Sequence, residues 1–362
     1  MKRIYFTVTN DLVYDQRMHR ICTSLATNGY DVTLLGRSKK NSPPLQNQVF
    51  NQRRIICLFQ KGILFYIEFN LRLFFYLLFK RMDGICAIDL DTILPCLFIS
   101  QIKDIERIYD AHEYFTEMKE LQRRKKIQKV WLTIEQYSLP KFKHCYTVSD
   151  GLATIFNKQY NKNFISIRNI SQLQTLNNKT ADTEFLLYQG AVNEGRGLEY
   201  LIPAMQYVPL PLVICGDGNY MSETKALINK YGLQKKVVLK GMILPDALKE
   251  ITSKATLGIN LTEIEGHHHY YALPNKFFDY IHACVPQISM NLPEYRKINE
   301  RFEVAVLIDD LNSNTIATAI NNTLYNRALL KVLKLNCLKA REVYNWELEE
   351  EKLLLFYQNV FR

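Results

Sequence analysis

Short β-branched and apolar runs alternate with helix-length amphipathic stretches along the whole chain, and this alternation does most to limit what it can fold into. Strand-length runs at 4–9, 31–35, 55–59, 84–88, 107–110, 145–148 and 164–167 are interleaved with helical stretches that include 16–27, 63–79 and 130–139. A second series at 184–190, 210–215, 237–240, 256–261, 287–289 and 304–308 is spaced by stretches such as 198–207 and 246–254. Strand and helix in repeated succession build βαβ units and a parallel sheet. The pattern therefore predicts two doubly wound α/β domains. Residues 171–183, including Asn177-Asn178-Lys179-Thr180, have little to pack and read as the connection. The predicted division is a first domain at 1–172, a linker at 173–183 and a second domain at 184–341. A long charged helix over 335–357, containing Trp346, closes the chain, and the portion from about 342 to 362 is predicted to return to the first domain.

Composition excludes several classes of protein. A length of 362 residues with 48% hydrophobic content suits two packed cores. The eight cysteines are scattered with no C-x-x-C pair, which argues against a zinc site or a disulfide framework and for reduced thiols. Met1 runs straight into a strand-like segment without the apolar core and cleavage site of a signal peptide, so a cytoplasmic location is expected. The most apolar window, 62–79, is broken by Glu68, Asn70 and Arg72, short of the roughly 18–20 apolar residues of a membrane span.

The charge is unevenly placed. Residues 1–170 carry 26 Lys+Arg against 15 Asp+Glu, an excess of +11, whereas residues 171–362 carry 20 against 21. The first half would thus attract an anionic membrane surface or an anionic lipid-linked substrate. Arg123-Arg124-Lys125-Lys126 and the aromatic stretch 65–79 suit peripheral docking, and a solvated face plus a core helix explains them equally well. No helix-turn-helix, zinc finger or aromatic RNA-binding signature accompanies the charge, so nucleic acid is not an expected partner.

Doubly wound sheets bind ligands beyond the carboxyl ends of their strands, which directs attention to the loops there. In the segment from Tyr271 to Ala283, Lys276 and Asp279 stand three residues apart and share a helix face. If the helix starts at Pro274, the proline sits in its first turn and the N-terminus beside Lys276 is a site for an anion such as phosphate. Asn275 lies in the same first turn, and Asp279 could hold a sugar diol. Gly190 opens a glycine-rich loop in which Arg196 can meet a phosphate, although a solvated arginine in a turn is an even alternative. Gly216-Asp217-Gly218 is a weaker strand-end turn. His267, His268 and His269 are consecutive and cannot all face one metal from a regular element, so no metal site is predicted. In the first half, His112 and Glu113 follow a strand and could contact hydroxyls or move protons, with a helix cap around Asp110 as the bland alternative. Asp11, Asp15 and Arg17 follow the first strand without the glycines of a dinucleotide fingerprint.

These residues resemble the group 1, or family 4, glycosyltransferases over nearly the whole chain. The marks are Asp15-Gln16-Arg17, the run from Asn28 to Leu34, Asp89-Leu90-Asp91-Thr92, the run from Tyr109 to Glu117, and Tyr146-Thr147-Val148-Ser149. Arg168-Asn169, the loop from Gly190 to Gly197, the segment from Ala272 to Tyr280, and Tyr344-Asn345-Trp346 complete them. The resemblance implies the GT-B architecture, two Rossmann-like domains facing across a cleft. It implies a nucleotide-diphosphate-sugar donor on the C-terminal domain, a saccharide or lipid-linked saccharide acceptor on the N-terminal one, retention of configuration, and no metal or other cofactor.

By the same resemblance, Arg196 falls at the basic position on the diphosphate, Lys276 adds charge there, and Asp279 takes the second acid position, on the ribose. Gly190, Gly216, Asp217, Gly218 and Asn275 would complete the donor side. His112 would face the transferred sugar or the acceptor, with Asp11, Asp15, Arg17 and Glu113 on the acceptor side. Two positions depart from the family pattern: Tyr271 stands where the first acid belongs, and Ala191 where an arginine is often found. A sugar-nucleotide epimerase or hydrolase of the same fold, or a non-catalytic partner in polysaccharide assembly, are the alternative readings.

Overall fold

The structure is a computed structural model that describes residues 1–173, 183–263, 270–271 and 273–362. Residues 174–182 of the predicted connection, the three consecutive histidines and Ala272 lie outside the described residues. Two compact units are present: Met1–Arg168 with Glu349–Arg362, and the described residues from Asn169 to Leu348.

The first unit is built on a parallel sheet of β1 (Arg3–Thr7), β2 (Asp31–Ser38), β3 (Asn51–Ile56), β4 (Gly84–Ile88), β5 (Glu106–Ala111), β6 (His144–Thr147) and β7 (Ile165–Ser166), in the order β3-β2-β1-β4-β5-β6-β7. Its helices are α1 (Gln16–Thr27), α2 (Gly62–Leu78), α3 (Ile93–Lys103), α4 (Lys119–Gln122), α5 (Lys125–Ser138) and α6 (Asp150–Tyr160). The second unit carries β8 (Leu186–Gln189), β9 (Leu212–Cys215), β10 (Val237–Gly241), β11 (Leu257–Asn260), β12 (Gln287–Met290) and β13 (Ala305–Ile308), in the order β10-β9-β8-β11-β12-β13. Around it lie α7 (Leu198–Ala204), α8 (Met221–Lys230), α9 (Pro245–Lys254), α10 (Asn275–His282), α11 (Pro293–Phe302), α12 (Ser313–Tyr325) and α13 (Arg327–Arg341). The last helix, α14 (Trp346–Val360), begins in the second unit and ends in the first.

Burial explains which runs became strands. Central β4 and β8 are buried at every position, as strands covered on both faces must be. Edge strand β3 instead starts with the polar Asn51 and Gln52 and keeps Arg53 exposed. Its predicted span of 55–59 is displaced for that reason: an apolar-run criterion finds only the apolar end of an edge strand. In each sheet the strand order reverses beside the first strand of the unit, between β1 and β4 and between β8 and β11, which makes those strand ends the topological switch points.

The single helix predicted over 335–357 is corrected to two. Asn345 ends one and starts the other: its amide donates to the carbonyls of Arg341 and Glu342, both at 3.0 Å, and its Oδ1 accepts from the Leu348 N–H at 3.1 Å. An asparagine offers backbone groups a partner outside the helix ladder and so favours a boundary. The end of α14 then packs in the first unit. Tyr357 is fully buried, 6.0 Å from the Phe6 ring, with its hydroxyl 3.3 Å from that of Tyr146. A Cβ at Gly84 in β4 would come within 2.6 Å of the Phe361 ring, which lies directly against the strand there.

Removing a fully buried ring costs about 3–5 kcal/mol. Tyr357→Ala should therefore lower the first unit's thermal transition strongly in calorimetry, whereas Leu355→Ala, 56% exposed on the same helix, should leave it nearly unchanged.

Candidate functional site

The β8–β11 switch point gathers three loops through their backbones. Gly190, Gly195 and Gly197 in the loop after β8 have φ of 112°, 78° and 74°, a region that a side chain at Cβ disfavours. The loop after β9 presses directly against it. A Cβ at Gly216 would lie 1.8 Å from the Gly190 carbonyl oxygen, and one at Gly218 would lie 2.2 Å from Asn193 Oδ1. The Val192 N–H donates to the Asp217 carbonyl at 3.0 Å, and the Gly218 N–H to Asp217 Oδ1 at 2.8 Å. The loop after β11 joins through the Glu263 N–H, which donates to the Gly195 carbonyl at 2.9 Å. Gly190, Gly216, Asp217 and Gly218 thus fix the shape of the loop that carries Arg196.

Helix α10 is held over the same strand ends by packing. Phe277 stacks on Tyr295 with centroids 4.6 Å apart, and the Tyr280 ring crosses Gly258, where a Cβ would stand 2.7 Å from it. The Tyr280 hydroxyl donates to the Leu187 carbonyl at 2.8 Å. Pro274 is the N-cap of α10, so the helix begins at Asn275, one residue later than predicted. It enters with an extended ψ of 149°, and no side chain caps the helix.

Lys276 and Asp279 take different partners despite their shared face. The Lys276 ammonium lies 4.5 Å from the centroid of the Tyr188 ring, and that tyrosine's hydroxyl donates to the Ala191 carbonyl at 2.8 Å. Burial, and then the positive charge of Arg196, bring the Lys276 ammonium down from 10.5 to about 7. Among the described residues no carboxylate counters these two effects at Lys276. Two cations so placed, beside an uncapped helix N-terminus, are stabilised by an anion that takes both. Asp279 accepts instead from Ser171 Oγ at 3.0 Å and Gln189 Nε2 at 2.9 Å. Gln189 is oriented in turn by Thr252, whose hydroxyl donates to its Oε1 at 2.7 Å. Asn275, in the first turn, is exposed.

Sequence reasoning missed Ser171, Tyr188, Gln189 and Thr252. The available signal was a polar glutamine ending the wholly buried run Leu186-Leu187-Tyr188-Gln189, a position where a polar group needs a partner.

In the first unit the β1–β4 switch point and neighbouring β5 carry a charged network. Buried Arg17 donates from Nη2 to Asp110 Oδ1 at 3.0 Å and from Nη1 to the Ile167 carbonyl at 2.9 Å. Asp110 ends in this pair within β5, so the helix-cap alternative is set aside. His112 Nε2 is 2.9 Å from Asp110 Oδ2 and 3.0 Å from Arg17 Nε. Burial lowers the imidazole, but Asp110 and then Asp89 outweigh it and lift it to about 9. The protonated ring therefore donates from Nε2 to Asp110, and the Arg17 Nε–H turns to the same carboxylate at 3.3 Å. Asp89, held at φ 52°, accepts from the His112 N–H at 2.8 Å. Burial raises Asp91 to about 6, and Thr9 donates to its carboxylate.

The other predicted first-unit residues lie elsewhere in the hydrogen bonding. Asp11 pairs with Arg54 Nη2 at 2.6 Å and accepts from Ser42, while Asp15 caps α1 by accepting from the Met18 N–H at 3.1 Å. Glu113 is exposed.

Residues 171–338 match the family described as "Glycosyl transferases group 1". No curated protein matches the chain. Among solved structures, the sucrose-phosphate synthase of Thermosynechococcus elongatus aligns at a TM-score of 0.81 and 17% identity, covering 100% of this chain and 99% of that one. Anabaena HepE, in complex with UDP-glucose, aligns at 0.80 and 12% identity, covering 99% of this chain and 100% of that one. WaaG, a glycosyltransferase involved in lipopolysaccharide biosynthesis, aligns at 0.75 and 16%, covering 96% and 98%. These likenesses show the fold, which is GT-B.

Two measurements test the charge assignments. An anion favours charged Lys276, so above pH 7 its binding must take up a proton, and affinity should fall by up to about tenfold per pH unit. Sulfate, whose charge is constant there, should show this slope in calorimetric titration, and Lys276→Ala should abolish it. Asp110→Asn leaves Arg17 buried without its countercharge and should cost about 3–5 kcal/mol of stability in denaturant unfolding.

Proposed function

We propose that this chain, whose residues 171–338 form a group 1 glycosyl transferase domain, moves a sugar from a nucleotide-diphosphate donor to a saccharide or lipid-linked saccharide acceptor, with retention of configuration. The observation that carries this reading is Lys276 at the switch point of the second sheet, a buried ammonium that feels the positive charge of Arg196 and no offsetting carboxylate among the described residues. A leaving nucleoside diphosphate is an anion of the right kind. As the bond from the anomeric carbon to the phosphate oxygen breaks, negative charge grows on that oxygen and positive charge on the sugar ring. Preorganised cations and helix N–H groups stabilise the former without having to reorganise.

In this reading Asp279 receives the ribose hydroxyls, and its carboxylate is kept in place by Ser171 and Gln189. His112, with Asp89 and Asp91, serves hydroxyls of the sugar or acceptor on the first unit. The reaction needs no metal. Arg196, Lys276 and the helix N–H groups carry the leaving group's charge in its place. We place the work in the cytoplasm, in the synthesis of a cell-surface polysaccharide.

Lys276→Ala and Arg196→Ala should each lower turnover by about 10²–10³-fold with an unchanged melting temperature. UDP-glucose, the ligand of the HepE structure, is the donor to try first, within a panel of UDP, GDP and CMP ligands followed by calorimetry. Wild-type turnover by both variants would sink the diphosphate assignment. Release of free sugar at the same rate with and without acceptor would replace transfer by hydrolysis, and binding of no nucleotide would replace enzyme by scaffold. An anomeric proton coupling in the product opposite to that of the donor would overturn retention.

A further inference from the structure

Helix α2 is apolar around nearly its whole circumference. Phe65, Phe69, Leu73 and Leu77 face the core of the first unit. Leu64, Ile67, Leu71 and Phe75 recur every three or four residues on another side and are 51%, 51%, 54% and 58% exposed. Ile63 and Phe79, at 66% and 81%, prolong the stripe at its two ends. Over 17 residues at about 1.5 Å each, it runs roughly 25 Å along the surface. A helix of this kind normally keeps a polar outer face, and a contiguous apolar one marks a contact surface.

The loop before the helix is fastened so as to enlarge this surface. Glu68 accepts from the N–H groups of Leu58 and Phe59, both at 2.9 Å, and from Arg72 Nε at 2.7 Å. That arrangement neutralises the one acid on the helix and leaves Leu58 80% exposed beside it. The rim is cationic. Lys61 precedes the helix, Lys80 and Arg81 follow it, and Arg53 and Lys80 sit 4.8 Å and 5.0 Å from the ring centroid of Tyr76. Long basic side chains lying over aromatic rings keep their stems in apolar surroundings and their charges in water.

We propose that this stripe docks the first unit on an anionic lipid surface, with α2 lying in the plane of the interface. Its charge selects the occupant. The excess of +11 in residues 1–170 is complementary to anionic headgroups, whereas a second copy of the chain would bring two cationic rims face to face. Crossing is a different matter: among the described residues no helix is long and apolar enough to span a membrane. Docking of this kind requires neither a donor nor turnover, so it stands or falls separately from the sugar-transfer reading.

Vesicle flotation tests it with the full chain, on phosphatidylcholine alone and on phosphatidylcholine with 30% phosphatidylglycerol (about a third anionic lipid, in the range that charged surfaces respond to). The wild type should float with the anionic vesicles and be released as salt is raised. Leu71→Asp with Phe75→Asp should lower the bound fraction at least about tenfold with an unchanged melting temperature, since both side chains already face solvent. Lys80→Glu with Arg81→Glu should weaken binding to the anionic vesicles selectively. Absence of wild-type binding, or binding retained by the Asp double variant, overturns the proposal. So does a wild-type dimer in sedimentation velocity that the Asp variant splits, which would assign the stripe to self-association.

Discussion

A parallel sheet covered on both faces leaves polar side chains almost nowhere to go except the ends of its strands, and the rest of this molecule follows from that constraint. In both units the central strands are apolar along their length, and the groups with chemical potential crowd at their carboxyl ends. Gln189 ends β8, Asp110 comes near the end of β5, and Asp89 and Asp91 follow β4. The glycines of the β8 and β9 loops belong to the same constraint. Two loops leaving adjacent strands can approach as closely as Gly216 and Gly190 do only where no Cβ intervenes.

The two switch points handle buried charge in opposite ways. In the first unit Arg17 and Asp110 neutralise each other, and His112 joins them as a third, protonated member. In the second unit buried Lys276 feels Arg196 with no carboxylate among the described residues to counter it, and the lysine answers by giving up its proton more readily. A paired buried charge holds a fold together, while an unpaired one is a vacancy for a ligand. The Thr252–Gln189–Asp279 chain has an intermediate character: each member is hydrogen-bonded to the next, which holds the carboxylate at its end in one orientation.

Much of this was legible in the residues. The alternation of strand and helix runs predicts both sheets, and every predicted strand is present, 84–88 with the same bounds and the others with one or both ends displaced. Arg196, Lys276 and Asp279 stand out by type and position. What was not legible is the partner of each group. Asp11, Asp15 and Arg17 look alike as polar residues after a first strand, yet one pairs with Arg54, one caps α1 and one is buried against Asp110. The break at Asn345 was also hidden, because an asparagine inside an amphipathic pattern becomes a cap only when packing turns the chain there.

By itself the sequence determined the fold class and the strand ends on which chemistry would gather, because hydrophobic periodicity and glycine placement are local properties that do not depend on distant neighbours. Tertiary structure alone decided which charges are spent. Arg17 and Asp110 are 93 residues apart and Lys276 and Tyr188 are 88 apart, so whether a cation is neutralised or left for an anion depends on contacts that no local pattern encodes.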